Sequence, residues 1–312
     1  MQPTPKTLKL GQAEVTQIVD IVSETFAVGD IFPDADARLV ERLMSQGVPG
    51  FAKGASPMVD LSFYGTLVRI GGQTLLIDTC CGHDKKRPAR PGWHMRQEGP
   101  FLGNLASAGV TPSEVDFVMC THLHADHVGW NTKLENGEWV PTFPNAQYIF
   151  SEIEYRHWQN EALRAEPGAL LYGAYEDSVL PIINSGQALL SDPGASPCSG
   201  VHIEAAFGHT PGNMSIHVES DGQQLMLLGD VLHHRMQLAD PHLNTRFCCD
   251  PQMARDTRQR LLHRVVADKA LIGGGHFTGQ AYGKLEPDDA GYAFVDANQA
   301  LLAEGIPKSR GF

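Results

Sequence analysis

Basic residues are scarce in this 312-residue chain, with 24 Lys and Arg against 36 Asp and Glu and a formal charge of −12. Phosphate backbones are gripped by clustered Lys and Arg, so the balance argues against a nucleic-acid partner and offers no attraction to anionic membranes. The N-terminal MQPTPKTLKLGQ holds no apolar run of seven or more residues, so neither a secretory leader nor a transmembrane span is expected. A cytoplasmic protein is the default expectation. Cysteine is sparse too. Cys80-Cys81 and Cys248-Cys249 are adjacent pairs, Cys120 and Cys198 show no framework spacing, and all six are expected as free thiols. There is no GxSxG elbow and no evident cysteine nucleophile, which sets covalent catalysis aside. No repeat, low-complexity tract or linker-like stretch interrupts the chain. With 42% hydrophobic residues it can bury a large core, and one α/β domain over residues 1–312 is expected.

What the chain does have is Thr121 to Gly129, THLHADHVG. Val115, Phe117 and Val118 read as a short buried strand, and His122 and His124 leave its end on alternate residues, pointing the same way. Asp126 and His127 follow around a turn into a helix. Imidazole and carboxylate donors suit zinc and similar divalent ions, and catalytic sites leave a position open for water. One ion can use the two alternating histidines. A second, roughly 3.5 to 4 Å away, can use the pair beyond the turn.

Two ions need further ligands, and other strand ends offer them. His209 sits in a turn framed by Gly208, Pro211 and Gly212 after the strand-like His202 to Ala206. Asp230 ends the apolar run from Leu225. His276 follows three glycines that let backbone approach an ion closely.

The HxHxDH loop, the GHTPG histidine, the GD aspartate and the final GH histidine, in this order, resemble the metallo-β-lactamase superfamily of dinuclear metallohydrolases. The resemblance covers roughly residues 60 to 280. It implies an αββα sandwich of two mixed sheets flanked by helices. It assigns His122, His124 and His209 to one ion, Asp126, His127 and His276 to the other, and Asp230 as the bridge. Asp78, after the strand-like Thr74 to Ile77, matches an aspartate that orients a ligand. The two ions are expected to be Zn2+, with Mn2+, Co2+ or Fe2+ able to use the same donors. A bridging water has its pKa lowered toward neutrality, so hydroxide is the expected nucleophile.

Asp34 to Gln46 carries Leu39, Val40, Leu43 and Met44 at helical spacing before Gly47, a packing helix at an entrance or dimer face in an N-terminal extension. Ser62 to Ile70 and Gln73 to Ile77 read as a hairpin turning at Gly71-Gly72. TPSE at Thr111 to Glu114 reads as a helix cap. Gln147 to Phe150 reads as a strand running into a helix over Ser151 to Trp158, and Met253 to Ala267 as an amphipathic helix. Among Phe63, Trp93, Phe101, Trp130, Phe247 and Phe277, the pocket candidates are Trp130 and Phe277, because each closely follows a metal motif. Lys133 and Arg246 are candidates to meet a substrate carboxylate.

Within the superfamily the chain resembles the group holding the N-acyl homoserine lactonases and the methyl parathion hydrolases. The lactonases place a tyrosine three residues after the bridging aspartate, whereas this chain has His233. That favours the organophosphate-hydrolase side and gives His233 a general-acid role toward a leaving oxygen. Asp126, Asp230 and His233 are thus the catalytic candidates. The substrate is expected to be a small, largely apolar aryl ester, phosphotriester or lactone, with a homodimer as the assembly. Other readings are an acyl-homoserine lactonase, a glyoxalase-II-like thioesterase and a signal-binding regulator without turnover. The thioesterase lacks support in the acidic-to-mixed Gly283 to Phe312. A flavodiiron module would carry glutamate in place of His124.

Overall fold

The computed structural model describes residues 7–52, 56–288 and 291–297. Two mixed β-sheets lie face to face between outer helices. The first sheet runs in the order Thr7–Leu10, Ala13–Ala27, Met58–Ile70, Gln73–Ile77, Phe117–Met119, Gln147–Ser151, Ala188–Ser191, with Phe51–Ala52 added to Met58–Ile70. Its last four strands are mutually parallel. The second runs Val201–Ala205, Met214–Ser220, Gln223–Leu227, Leu271–Gly273, Tyr282–Asp288, Gly291–Asp296, with one parallel pair, Gln223–Leu227 on Leu271–Gly273.

Alternation explains the layering. Val68, Leu75, Ile77, Met119 and Ile149 from the first sheet form one buried cluster with Ile203, Ile216, Val218 and Leu225 from the second. The other face of the first sheet buries Leu67, Leu76, Val118 and Phe150 beside Phe101, Tyr155 and Ile182 of the helices. The helix Pro251–Ala267 closes the far side with Leu261, Leu262 and Val265. This is the expected αββα architecture, and its four layers bury apolar faces on both sides of each sheet.

The local readings hold. Gly71 and Gly72 take φ of 57° and 81° at the hairpin. The helix Ala37–Ser45 is capped by Asp36, which accepts from the Arg38 N–H at 2.7 Å, and Gly47 follows it at φ 70°. It packs Val40 and Leu43 against Phe32, Val59 and Met236. The TPSE cap box forms, but over a single 3₁₀ turn, Pro112–Glu114. One feature was not anticipated: Thr7–Leu10 and Ala13–Ala27 form part of the first sheet, their buried and exposed residues alternating along much of their length. The last residues of Ala13–Ala27 reach the pocket described next, which Phe26 lines.

Candidate metal centre

Parallel strands deliver their C-terminal ends to one edge, and the ligand candidates collect there. Phe117–Met119 leads into Thr121 to His124, and a short helix, Ala125–Val128, carries Asp126 and His127. From the second sheet, His209 sits in the loop before Met214–Ser220, Asp230 in a 3₁₀ turn after Gln223–Leu227, and His276 beyond Leu271–Gly273. All seven expected side chains come together. Donor atoms of His122, His124, His209 and Asp230 lie within 4.8 Å of one another, as do those of Asp126, His127 and His276.

Asp230 faces both groups. Its Oδ2 lies 3.3 Å from His209 Nε2 and 3.7 Å from His122 Nε2, while Oδ1 lies 3.3 Å from His127 Nε2 and 3.1 Å from His276 Nε2. One carboxylate oxygen per histidine group is the geometry of a bridge between two ions. Gly275 allows it, since a Cβ there would collide with Asp230 Oδ1.

The donor set fits divalent metal. His122 Nε2, His127 Nε2 and Asp230 Oδ1 are buried and without hydrogen-bond partners among the described residues, although buried polar atoms are normally satisfied. Asp78, Asp126 and Asp230 form no ion pair with Lys or Arg among the described residues; the charged partners they meet there are imidazoles. Burial pushes His122 and His209 well below the ordinary imidazole range, whereas at His127 and His276 the surrounding carboxylates, Asp230 foremost, outweigh burial and hold the rings above it. Burial would raise the Asp230 carboxyl, but His233, His276, His127 and His209 outweigh it and hold the group well below the usual range.

Hydrogen bonds behind the ligands set the tautomers. Asp78 Oδ2 accepts from His127 Nδ1 at 2.9 Å and from the Thr121 hydroxyl at 2.8 Å, and its Oδ1 accepts from the Thr121 N–H at 2.7 Å. His276 Nδ1 donates to the Ser62 carbonyl at 3.2 Å. Both contacts leave Nε2 turned to the site, as orienting partners of metal ligands do. Asp78 holds φ 60°, a left-handed backbone tolerated by aspartate.

Glu154 escaped the sequence reading. Fully buried, it accepts from the Leu123 N–H at 3.2 Å, the Trp158 indole at 2.7 Å and the Gly212 N–H at 2.8 Å. It thereby ties the His122–His124 loop to the loop of His209. In sequence it looks like an ordinary acidic residue in the first turn of Glu152–Ala162.

A cavity of about 290 Å³ opens onto the cluster, where His124, Asp126, His209, Asp230, His233 and His276 line it. Its other walls are mainly apolar, including Phe26, Leu61, Phe63, Trp93, Tyr172 and Phe247. His233 Nε2 stands 3.1 Å from Asp230 Oδ2, at the cavity face. Trp130 and Phe277 do not line it. Gly129 packs against the Cys81 and Gly82 backbone, and Trp130 turns inward to stack on Phe101, their ring centroids 5.9 Å apart. Phe277 is buried and packs on Phe294 at 5.6 Å. Lys133 pairs with Glu135 on an outer hairpin, and the side chain of exposed Arg246 reaches the Asp30 carbonyl. The cation in the cavity lining is Arg90.

Two segments make that wall. In one, Lys85 and Arg87 are buried and both meet Asp177, Arg87 through paired contacts of 2.7 and 2.8 Å. In the other, Leu171 and Tyr172 hold consecutive left-handed backbones, φ 51° and 56°, with the Tyr172 carbonyl accepting from Arg87 at 3.0 Å.

Among curated proteins, N-acyl homoserine lactonase AiiA of Bacillus thuringiensis subsp. kurstaki is 26% identical over 183 residues, 58% of this chain and 64% of the relative. An N-acyl homoserine lactonase of Bacillus cereus is 25% identical over 198 residues, 62% of this chain and 69% of that protein. The match to the first of these thus spans less than two thirds of the relative's length. Among solved structures, AidC, a dizinc quorum-quenching lactonase bound to its product, superposes with TM-score 0.75 at 20% identity over 94% of this chain and 97% of its own. The hydrolase AbOPH superposes with TM-score 0.78 at 21% identity, covering 95% and 98%. At these identities the superpositions speak for the fold. Residues 64–278 match the family model of the metallo-β-lactamase superfamily, and that match takes in all seven ligand candidates. The chain belongs to the metallo-β-lactamase superfamily and carries its dinuclear metal site.

Proposed function

We propose that this chain is a hydrolase of small, largely apolar esters or lactones, with His122, His124 and His209 holding one divalent ion, Asp126, His127 and His276 the other, and Asp230 joining them. The observation that carries the reading is the division of Asp230 between the two histidine groups. Zinc is the proposed metal, since neutral imidazole and carboxylate suit it. When bound, such a pair supplies hydroxide at neutral pH and polarises the oxygen of the bond under attack.

The chain's own residues do the rest. The aromatic and aliphatic walls exclude water and hold an apolar substrate against the site. Asp78 and the Ser62 carbonyl keep His127 and His276 aligned. His233, within reach of both Asp230 and the cavity, is proposed to hand a proton to the departing oxygen.

Acyl-homoserine lactone is a second reading, favoured by the names of the curated relatives. Metal content on purified protein, followed by a chelator-sensitive panel of aryl esters, γ-lactones, acyl-homoserine lactones and aryl phosphotriesters, separates these. Two ions with aryl-ester or simple lactone turnover support the proposal. A clear preference for acyl-homoserine lactones selects the second reading, and two ions with no turnover on any of the panel overturn both.

A further inference from the structure

The segment Lys85 to Arg96 folds over one side of the cavity and carries five basic residues. Three of them pair with carboxylates: Lys85 and Arg87 share Asp177, and Arg96 meets Asp20 at 3.0 Å. Lys86 is exposed. Arg90 differs from all of these. It lines the metal-bearing cavity and forms no ion pair among the described residues.

Its surroundings hold it in place without spending its charge. The guanidinium carbon lies 5.2 Å from the Trp93 ring centroid, 5.2 Å from that of Tyr172 and 5.4 Å from that of Phe247. One N–H donates to the Tyr172 hydroxyl at 3.2 Å, and the remaining donors find no partner among the described residues. Aromatic faces attract a guanidinium while leaving its edge N–H groups free to bind. Glu24 feels the charge of Arg90 but forms no ion pair with it among the described residues, and its carboxylate accepts from the Trp93 indole at 2.7 Å. The segment is pinned on either side, by Arg87 to Asp177 and by Arg96 to Asp20. The donor fork is therefore preorganised, and binding it costs little ordering entropy.

We propose that Arg90 is a specificity residue that binds a carboxylate on the substrate, so that the preferred ester carries an anionic arm extending from its apolar body. This rests on the ester-hydrolase reading of the same site. An overall charge of −12 repels such a substrate. An unpaired guanidinium inside the cavity supplies the local attraction that the surface lacks.

The test compares two five-carbon acids that differ by one carboxylate, pentanoate and glutarate, binding to zinc-loaded protein in calorimetry. Glutarate is expected to bind at least about tenfold tighter, the worth of one charge-assisted contact. Arg90→Gln should erase that difference while leaving pentanoate within about twofold of its original affinity, and Arg90→Lys should keep part of it. In turnover, the nitrophenyl monoester of glutarate should show a lower KM than nitrophenyl pentanoate. Arg90→Gln should raise the former KM about tenfold with kcat unchanged, the mark of lost ground-state binding. Equal binding of the two acids by the native chain, no binding of glutarate, or equal losses for both acids in Arg90→Gln would overturn the proposal. If glutarate binds as expected and neither ester is cleaved, the hydrolase reading fails while the role of Arg90 stands.

Discussion

Asp78 Oδ2 and His127 Nδ1 lie 2.9 Å apart, and the same carboxylate holds the backbone N–H and hydroxyl of Thr121, the residue preceding His122. One side chain thus aligns a candidate ligand of one ion and the strand end that presents ligands of the other. Asp78→Ala should weaken metal binding about 10- to 100-fold. Competition with a chromophoric chelator measures it, and unchanged affinity would show that the contact is incidental.

Asp230→Asn should reduce bound metal and remove hydrolysis together, because an amide offers one neutral oxygen where two ions each need an anionic one. Metal analysis and turnover on the same preparation decide this. Two ions with full activity would refute the bridging assignment.

His233→Phe should depress turnover of alkyl esters at least about 100-fold while changing nitrophenyl esters little, since good leaving groups need no proton. Equal losses on both would mean that His233 shapes the site without transferring a proton.

His234 points away from the cavity. Its Nε2 donates to the Gly50 carbonyl at 2.8 Å, its Nδ1 accepts from the Met236 N–H at 3.1 Å, and burial lowers its pKa to about 4. The folded state resists its protonation, so the unfolded chain binds the extra proton below the ordinary value of 6.5. Stability should therefore fall as pH drops from about 6.5 to about 4, by on the order of 3 kcal/mol from this residue. Urea unfolding of zinc-loaded protein at several pH values checks it. His234→Gln should be less stable at pH 7 yet show a shallower loss over that window, and parallel curves would rule the residue out as the source.

Glu154→Gln sets an amide NH₂ against a backbone or indole N–H where a carboxylate oxygen had accepted. A loss of about 1 to 3 kcal/mol in stability is expected, together with weaker metal binding, because the loops of His124 and His209 are no longer tied. Thermal melts with and without zinc distinguish the two effects. A variant that melts early but binds zinc normally would confine Glu154 to a fold-stabilising role.

The cluster of ligand candidates was legible because it uses conspicuous residue types at strand ends, where short loops leave side chains few directions to take. His122 and His124 could be placed from period-two alternation alone. The pocket was not legible in the same way. Trp130 follows the metal loop as closely as any residue, but its direction depends on Gly129 seating against Cys81, a contact 48 residues away in sequence. Arg90 lies in a loop whose sequence, KKRPARPGW, does not reveal which cation is left unpaired, since Asp177 and Asp20 come from distant segments. Glu154 is hidden for the same reason, because its three donors come from three separate places. By contrast, the strands Thr7–Leu10 and Ala13–Ala27 carry a readable alternation that the helix beyond them overshadowed.

Asp177 joins two of the segments that wall the cavity, and none of the seven ligand candidates comes from either segment. The reacting centre and this part of the cavity wall therefore reside on separate segments of the chain. Exchanging the Lys85–Arg96 and Leu171–Val179 segments together, as a latched pair, should alter which substrates are admitted while leaving the ligand candidates in place. Replacing one segment alone strands buried cations or a buried carboxylate, so drift in substrate range should proceed by paired changes across that latch.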